Sequence, residues 1–244
     1  MKELLQLAYE KVKIFFKYRT FNMFSDVQIE ISSYCNRRCW YCPNSKYDRG
    51  TKRNYLSEKI FFKLINDLAE ISYSGLLTFS GYLEPMADDR LNKFVLYAKR
   101  KLPKSTIQIF TNGDYLNQES YSKLIDNGCD NILLTSNTNL DHPLMDADKV
   151  TFRKIKDIRL SNRAGELNIN GEKKYCIYVF LMVIVDYLGQ VKVCCNDYLG
   201  KVVLGNLETN SIMEIWNSEQ YKRVKFNLLI RKTPNLKICE KCMR

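Results

Sequence analysis

Val27-Gln28-Ile29-Glu30-Ile31-Ser32 runs almost directly into Cys35-Asn36-Arg37-Arg38-Cys39-Trp40-Tyr41-Cys42, so a short β-branched stretch opens into a loop with three cysteines in eight residues. β-branched residues suit a pleated, half-buried surface, and Val27 to Ser32 therefore reads as a strand. Thiols four and then three residues apart in one loop have the spacing of metal ligands. Structural zinc needs four protein donors, and the only histidine, His142, lies far away in sequence. A cubane iron-sulfur cluster has four irons, so three thiolates leave one iron open to a ligand that is not protein.

Outward from that loop the pattern repeats. Leu76 to Ser80, Thr106 to Thr111, Asn131 to Thr135 and Ile158 to Ser161 read as further strands, with helical periodicity at Ser57 to Ser72, Ala87 to Leu102 and Gln118 to Asn127. Alternating βα units build a parallel sheet through right-handed crossovers, which predicts the α/β class with its chemistry at the carboxyl ends of the strands. The segments just after the strands are Gly81-Tyr82-Leu83-Glu84-Pro85, Thr111-Asn112-Gly113 and Ser161-Asn162-Arg163. Each alone is compatible with an ordinary turn.

The 244 residues are 45% hydrophobic and 27% charged, a balance that excludes disorder and fibrous folds. The longest apolar run, Tyr175 to Val185, falls short of the roughly 20 residues needed to span a bilayer. With no uninterrupted apolar region near Met1, the expected location is cytoplasmic. In a reducing compartment nine cysteines point to metal ligation rather than disulfides. The net charge of +11 would steer a phosphorylated or nucleotide-linked substrate, or serve solubility, and gives no ground for a nucleic-acid partner. Residues 3 to 18 read as a helix packed on the main domain, with no membrane role expected.

After Arg163 the alternation stops. A polar connector, Gly165 to Lys174, leads to a second region holding Cys176, Cys194, Cys195, Cys239 and Cys242. The expected organisation is an N-terminal helix over 1–20, a βα domain over 21–165 and a cysteine-bearing domain over 166–244. A straight hairpin centred at Leu188 would hold Cys176 roughly 13 to 17 Å from the residue opposite Cys194, at about 3.3 Å per residue. If both bind one centre, the chain from Cys176 to Leu181 must leave the ladder and fold back. A set of four thiolates satisfies either zinc or an iron-sulfur cluster.

The C-x3-C-x2-C spacing, with an aromatic before the third cysteine and motifs in register at successive strand ends, resembles the signature of radical S-adenosylmethionine enzymes. The second cysteine set, with Gly189, Gly205-Asn206 and Ile215-Trp216, resembles the short SPASM, or twitch, extension of that family. The resemblance implies a partial (β/α) barrel with a small C-terminal auxiliary-cluster domain. It implies a [4Fe-4S] cluster on Cys35, Cys39 and Cys42 that chelates S-adenosyl-L-methionine. An auxiliary [4Fe-4S] cluster would lie on Cys176, Cys194, Cys239 and Cys242. It further implies cofactor contacts from Tyr41, Gly81, Glu84, Asn112, Ser161 and Asn162, although Leu83 stands where the family has glycine. Among such enzymes the motifs are most like those that oxidise a cyclitol secondary alcohol to a ketone. That activity would use a 5′-deoxyadenosyl radical, the auxiliary cluster as electron acceptor and a flavodoxin or ferredoxin as reductant. Arg163 would hold the substrate hydroxyl or an alkoxide. The alternatives are an epimerase with Cys195 as hydrogen donor, a peptide-modifying enzyme and, from another class, a non-catalytic zinc or RNA-binding protein.

Overall fold

The computed structural model describes residues 2–136, 141–170, 175–230 and 236–242. Parts of the Thr135 to Leu140 loop and of the Gly165 to Lys174 connector lie outside the described residues. The strands are β1 (Asp26–Ile29), β2 (Leu76–Phe79), β3 (Thr106–Thr111), β4 (Asn131–Ser136), β5 (Val150–Lys154), β6 (Met182–Val185), β7 (Gln190–Lys192) and β8 (Val203–Asn206). They form one sheet in the order β5-β4-β3-β2-β1-β6-β7-β8. β1 to β6 are parallel, while β7 and β8 continue it antiparallel.

The crossovers follow the hydrophobic pattern. Helix α1 spans Lys2–Tyr18, α2 Glu58–Glu70, α3 Leu91–Lys101 and α4 Gln118–Asp126. α2 buries Phe61, Leu64, Ile65 and Leu68 along one face, and α3 buries Leu91, Phe94, Val95 and Ala98. The two helices meet through a stacked Phe61–Phe94 pair 4.1 Å apart between ring centres. α4 starts at a reciprocal capping box between Asn117 and Ser120.

One sequence expectation changes. Ile158 to Ser161 is not a strand; the fifth strand is Val150–Lys154, followed by a short 3₁₀ turn at Ile155–Asp157. The strand lies at the sheet edge and none of its residues is fully buried, so it lacks the apolar run that marks the inner strands. Ser211 to Leu229 folds as two helices, α5 (Ile212–Trp216) and α6 (Glu219–Leu229), because Ser218 caps α6 by accepting from the Tyr221 amide. A last helix, α7, covers Lys237–Lys241.

The sheet runs unbroken into the cysteine-bearing region because β6 pairs with β1. The core is likewise continuous, from Phe24 and Val27 to Trp216 and Tyr221. Among the described residues no helix is long and apolar enough to cross a membrane.

Candidate active site

The first cysteine set lies beyond the carboxyl end of β1, whereas the second flanks the β6–β7 hairpin: Cys176 precedes β6, and Cys194 follows β7, which runs antiparallel to it. The first loop leaves β1 and is folded by its own backbone: the Cys35 amide donates to Gly50 and the Cys42 amide to Cys39. Burial pushes the Cys35 thiol up to about 11, and the neighbouring Glu84, Cys42 and Cys39 oppose its ionisation further. Burial also raises the Cys42 thiol, against the pull of Arg163 and Arg49. The three sulfurs therefore share one electrostatic neighbourhood and have cations facing them. Tyr41 is drawn into it as well, its hydroxyl raised by burial and by Cys39.

The second set depends on a local departure from the ladder. Ile184 pairs with Lys192 and Val185 with Val191, whereas Tyr178–Phe180 turns away in a 3₁₀ helix before β6 begins. The fold-back required of Cys176 to Leu181 is present. Burial raises the Cys194 thiol well above its ordinary value, and Cys195, Cys176 and Cys239 add to the effect. Cys242 is reached through Asn196, whose amide donates to its sulfur at 3.3 Å. The Asn162 side chain donates to the Lys241 carbonyl at 2.7 Å and so pins the terminal Cys-x-x-Cys segment.

Among the described residues no three His, Cys, Asp or Glu side chains converge on a point that would hold a single metal ion. Zinc wants its ligands gathered on one ion, whereas each cysteine of a cubane cluster binds a different iron. The three thiols of the first loop, with Arg163 and Arg49 facing Cys42, suit a cluster that leaves one iron open, and the four thiols of the second set suit a cluster or zinc alike.

Between the two sets sits a buried polar network that the sequence motifs did not reveal. Glu30, just beyond β1, pairs with Lys192 at 3.2 Å and with Arg49, and accepts from the Tyr82 amide at 2.9 Å. Burial alone would raise its carboxyl, but Lys192 and Arg49 hold it below the usual range. Arg49 donates to the Tyr198 carbonyl, and the Tyr198 hydroxyl donates to Asn44. Asn44 in turn donates to the Tyr82 carbonyl. The Tyr82 ring is flanked by Arg49, Arg163 and Lys192 within 5.9 Å of its centre. Gly81 allows this approach: its φ is +139°, and a Cβ there would lie 2.5 Å from the Glu30 side chain. A charged residue within an apolar strand, such as Glu30 or Lys192, was the available signal.

The expected site residues divide into two groups. Arg163 reaches the junction of the two cysteine sets: it donates to Asn196 at 3.3 Å, and its buried Nε lacks a partner among the described residues. Burial disfavours its charge, but Tyr82, Cys195 and Cys42 together raise its pKa, so it stays a cation. Its φ of +49° is left-handed, a costly conformation for a residue with a side chain. Ser161 lies beside it and donates to Asn196.

The other residues brace the loops. Glu84 is buried and its carboxylate accepts from Met86, Thr111 and Asn112, which raises the β2 loop onto the end of β3; burial lifts its pKa to about 7. Asn112 donates to Asn36 at 2.9 Å and so ties β3 to the first cysteine loop. Asp114 reinforces that tie by accepting from Arg37. Asn162 is buried against the terminal segment, as described above, where the sequence suggested cofactor contact.

With this geometry established, comparison with known proteins is decisive about family. Residues 29–182 match the profile of the Radical SAM superfamily. The chain belongs to the radical S-adenosylmethionine superfamily. Residues 176–243 match SPASM, an iron-sulfur cluster-binding domain, so this superfamily member carries the auxiliary extension and depends on S-adenosylmethionine and iron-sulfur clusters.

Over 233 residues the chain is 28% identical to the S-adenosyl-L-methionine-dependent 2-deoxy-scyllo-inosamine dehydrogenase of Niallia circulans, covering 90% of this chain and 93% of the relative. The crystal structure of BtrN in complex with AdoMet and 2-DOIA superposes with a TM-score of 0.83 at 27% identity, covering 90% of this chain and 93% of that one. AdoMet-bound anSMEcpe shares the fold at a TM-score of 0.54 and 13% identity, covering 90% and 85% of the two chains.

Proposed function

We propose that this radical S-adenosylmethionine enzyme is a dehydrogenase that oxidises a secondary alcohol of a cyclitol or sugar-like substrate to the ketone. The observation that carries the reading is Arg163, a cation placed where the neighbourhoods of Cys42 and Cys195 meet, with a buried Nε that has no partner among the described residues. The similarity to 2-deoxy-scyllo-inosamine dehydrogenase supports an aminocyclitol as the substrate class.

Cys35, Cys39 and Cys42 hold the first cluster, and Cys176, Cys194, Cys239 and Cys242 the auxiliary one. When bound, these groups supply a 5′-deoxyadenosyl radical from S-adenosylmethionine and an acceptor for one electron. In this reading Tyr41, Gly81, Glu84, Asn112, Ser161 and Asn162 serve the cofactor, Glu84 and Asn112 by bracing the loops around it. Arg163 holds the substrate hydroxyl; being permanently protonated, it stabilises an alkoxide as the proton leaves rather than removing the proton itself. The buried cations Arg49 and Lys192 outweigh Glu30 and favour the negative charge of cysteine-ligated clusters. A flavodoxin or ferredoxin supplies the reducing electron.

The test is anaerobic reconstitution with iron and sulfide, then incubation with S-adenosylmethionine, reductant and a panel of aminocyclitols and sugars. A product lighter by two hydrogens, with 5′-deoxyadenosine in equal amount, supports dehydrogenation. A product of unchanged mass bearing one solvent hydrogen would instead support epimerisation, with the partly exposed Cys195 thiol as donor.

A further inference from the structure

Helix α1 has two apolar faces, and the fold uses only one. Ile14 is the buried residue of the helix and Leu7 packs beside it. Tyr18 and Lys17 bond to Ser74, and Lys11 donates to the Phe21 and Met23 carbonyls at 3.0 Å. Leu4, Leu5, Tyr9, Val12 and Phe16 remain 39%, 68%, 63%, 46% and 69% exposed. At about 100° per residue these five, with exposed Ala8, fill an arc of about 140°. A strict coiled-coil seam is narrower than that. No hydrogen-bonding amide or charged side chain falls within the arc between Leu4 and Phe16. Phe21, 55% exposed, extends the apolar surface past the end of the helix.

Charge decides among the occupants such a face would suit. Lys2 and Lys13 border one edge of the arc, and exposed Arg19 follows the helix. The nearest acid, Glu10, pairs with Lys13 on the far side of that border. Two copies meeting through this face would bring the basic borders together, whereas an anionic bilayer surface satisfies both the apolar arc and its cationic edge. A broad face whose one polar group is the Tyr9 hydroxyl, at the edge of the arc, also suits a lipid interface better than the fixed contacts of a protein partner.

Position fits as well. The contacts of α1 with Phe21, Met23 and Ser74 lie just before β1 and β2, at the amino ends of the strands, while the first cysteine loop leaves the carboxyl end of β1. We propose that α1 is an interfacial anchor that lays its Leu4–Phe16 face on an anionic phospholipid surface, with the opposite rim of the sheet left open to the aqueous side.

The full-length, cluster-loaded protein is tested by co-sedimentation with vesicles of phosphatidylcholine alone or mixed with phosphatidylglycerol. The expected result is binding to the anionic vesicles, weakened by salt. A Leu5→Gln/Phe16→Gln variant should reduce it at least about tenfold, since two large apolar side chains are lost from the contact. Its 5′-deoxyadenosine formation should stay unchanged, showing that the variant folds. Equal recovery with neutral and anionic vesicles, or binding untouched by the double substitution, would overturn the proposal. So would a stable dimer in light scattering that the same substitution dissociates.

Discussion

The Tyr82 hydroxyl donates to the backbone carbonyl of Cys195 at 2.6 Å, joining the loop after β2 to the loop that carries Cys194. The Tyr82 carbonyl also accepts from Asn44, two residues past Cys42. One side chain and its own backbone thus fasten the two cysteine sets to each other. Tyr82→Phe keeps the ring between its three cations and removes only the hydroxyl bond, worth about 0.5–1.5 kcal/mol. The expected outcome is intact iron content with several-fold less ketone per 5′-deoxyadenosine, read by chromatography of both products.

Removal of ligands should separate the two centres. Cys239→Ala/Cys242→Ala is expected to lower iron from about eight to about four atoms per chain, while Cys195→Ala leaves it unchanged. Iron and sulfide analysis after anaerobic reconstitution checks both. Loss of iron in Cys195→Ala would move that thiol into the ligand set.

Glu30 is 1% exposed and pairs with both Lys192 and Arg49. Glu30→Gln leaves two cations in a dry environment without their carboxylate, and breaking a buried pair in this way costs about 3–5 kcal/mol. Denaturant unfolding under anaerobic conditions should show a loss of that size.

Asp26 gives the fold a pH dependence away from the cysteines. It is partly exposed at the start of β1 but closely surrounded by protein, and burial raises its carboxyl to about 7 against a single bond from Thr78. An acid whose pKa is higher in the folded state binds its proton more tightly there. Its contribution to stability is therefore full below its ordinary range near 4 and is lost as pH rises towards 7. Asp26→Asn should remove this slope and stabilise the protein near neutrality by on the order of 2 kcal/mol, after discounting for partial exposure. Unfolding curves of the two proteins from pH 4 to 8 make the comparison.

What could be read from sequence was mostly local. Cys35, Cys39 and Cys42 announce themselves because their spacing lies within one loop, and β1 to β4 because inner parallel strands are short apolar runs. The fold-back before β6 was legible from distance alone, since a straight strand cannot bring Cys176 to Cys194. β5 escaped because an edge strand carries Thr151, Arg153 and Lys154 without contradiction. Glu30 and Lys192 escaped for the opposite reason: their types suggest solvent, and only sheet pairing shows that each neutralises the other in the interior. Asn162 adjoins Arg163 in the chain, yet one side chain turns to the terminal segment and the other to the site.

The assignment of the first cysteine loop is tested most directly by 5′-deoxyadenosine formation from S-adenosylmethionine under strong reduction, which needs no knowledge of the substrate. The reconstituted enzyme and its Cys239→Ala/Cys242→Ala variant should both form it, and Cys35→Ala/Cys39→Ala/Cys42→Ala should form none. Absence of 5′-deoxyadenosine from fully iron-loaded enzyme, or its persistence after loss of all three thiols, would contradict the account.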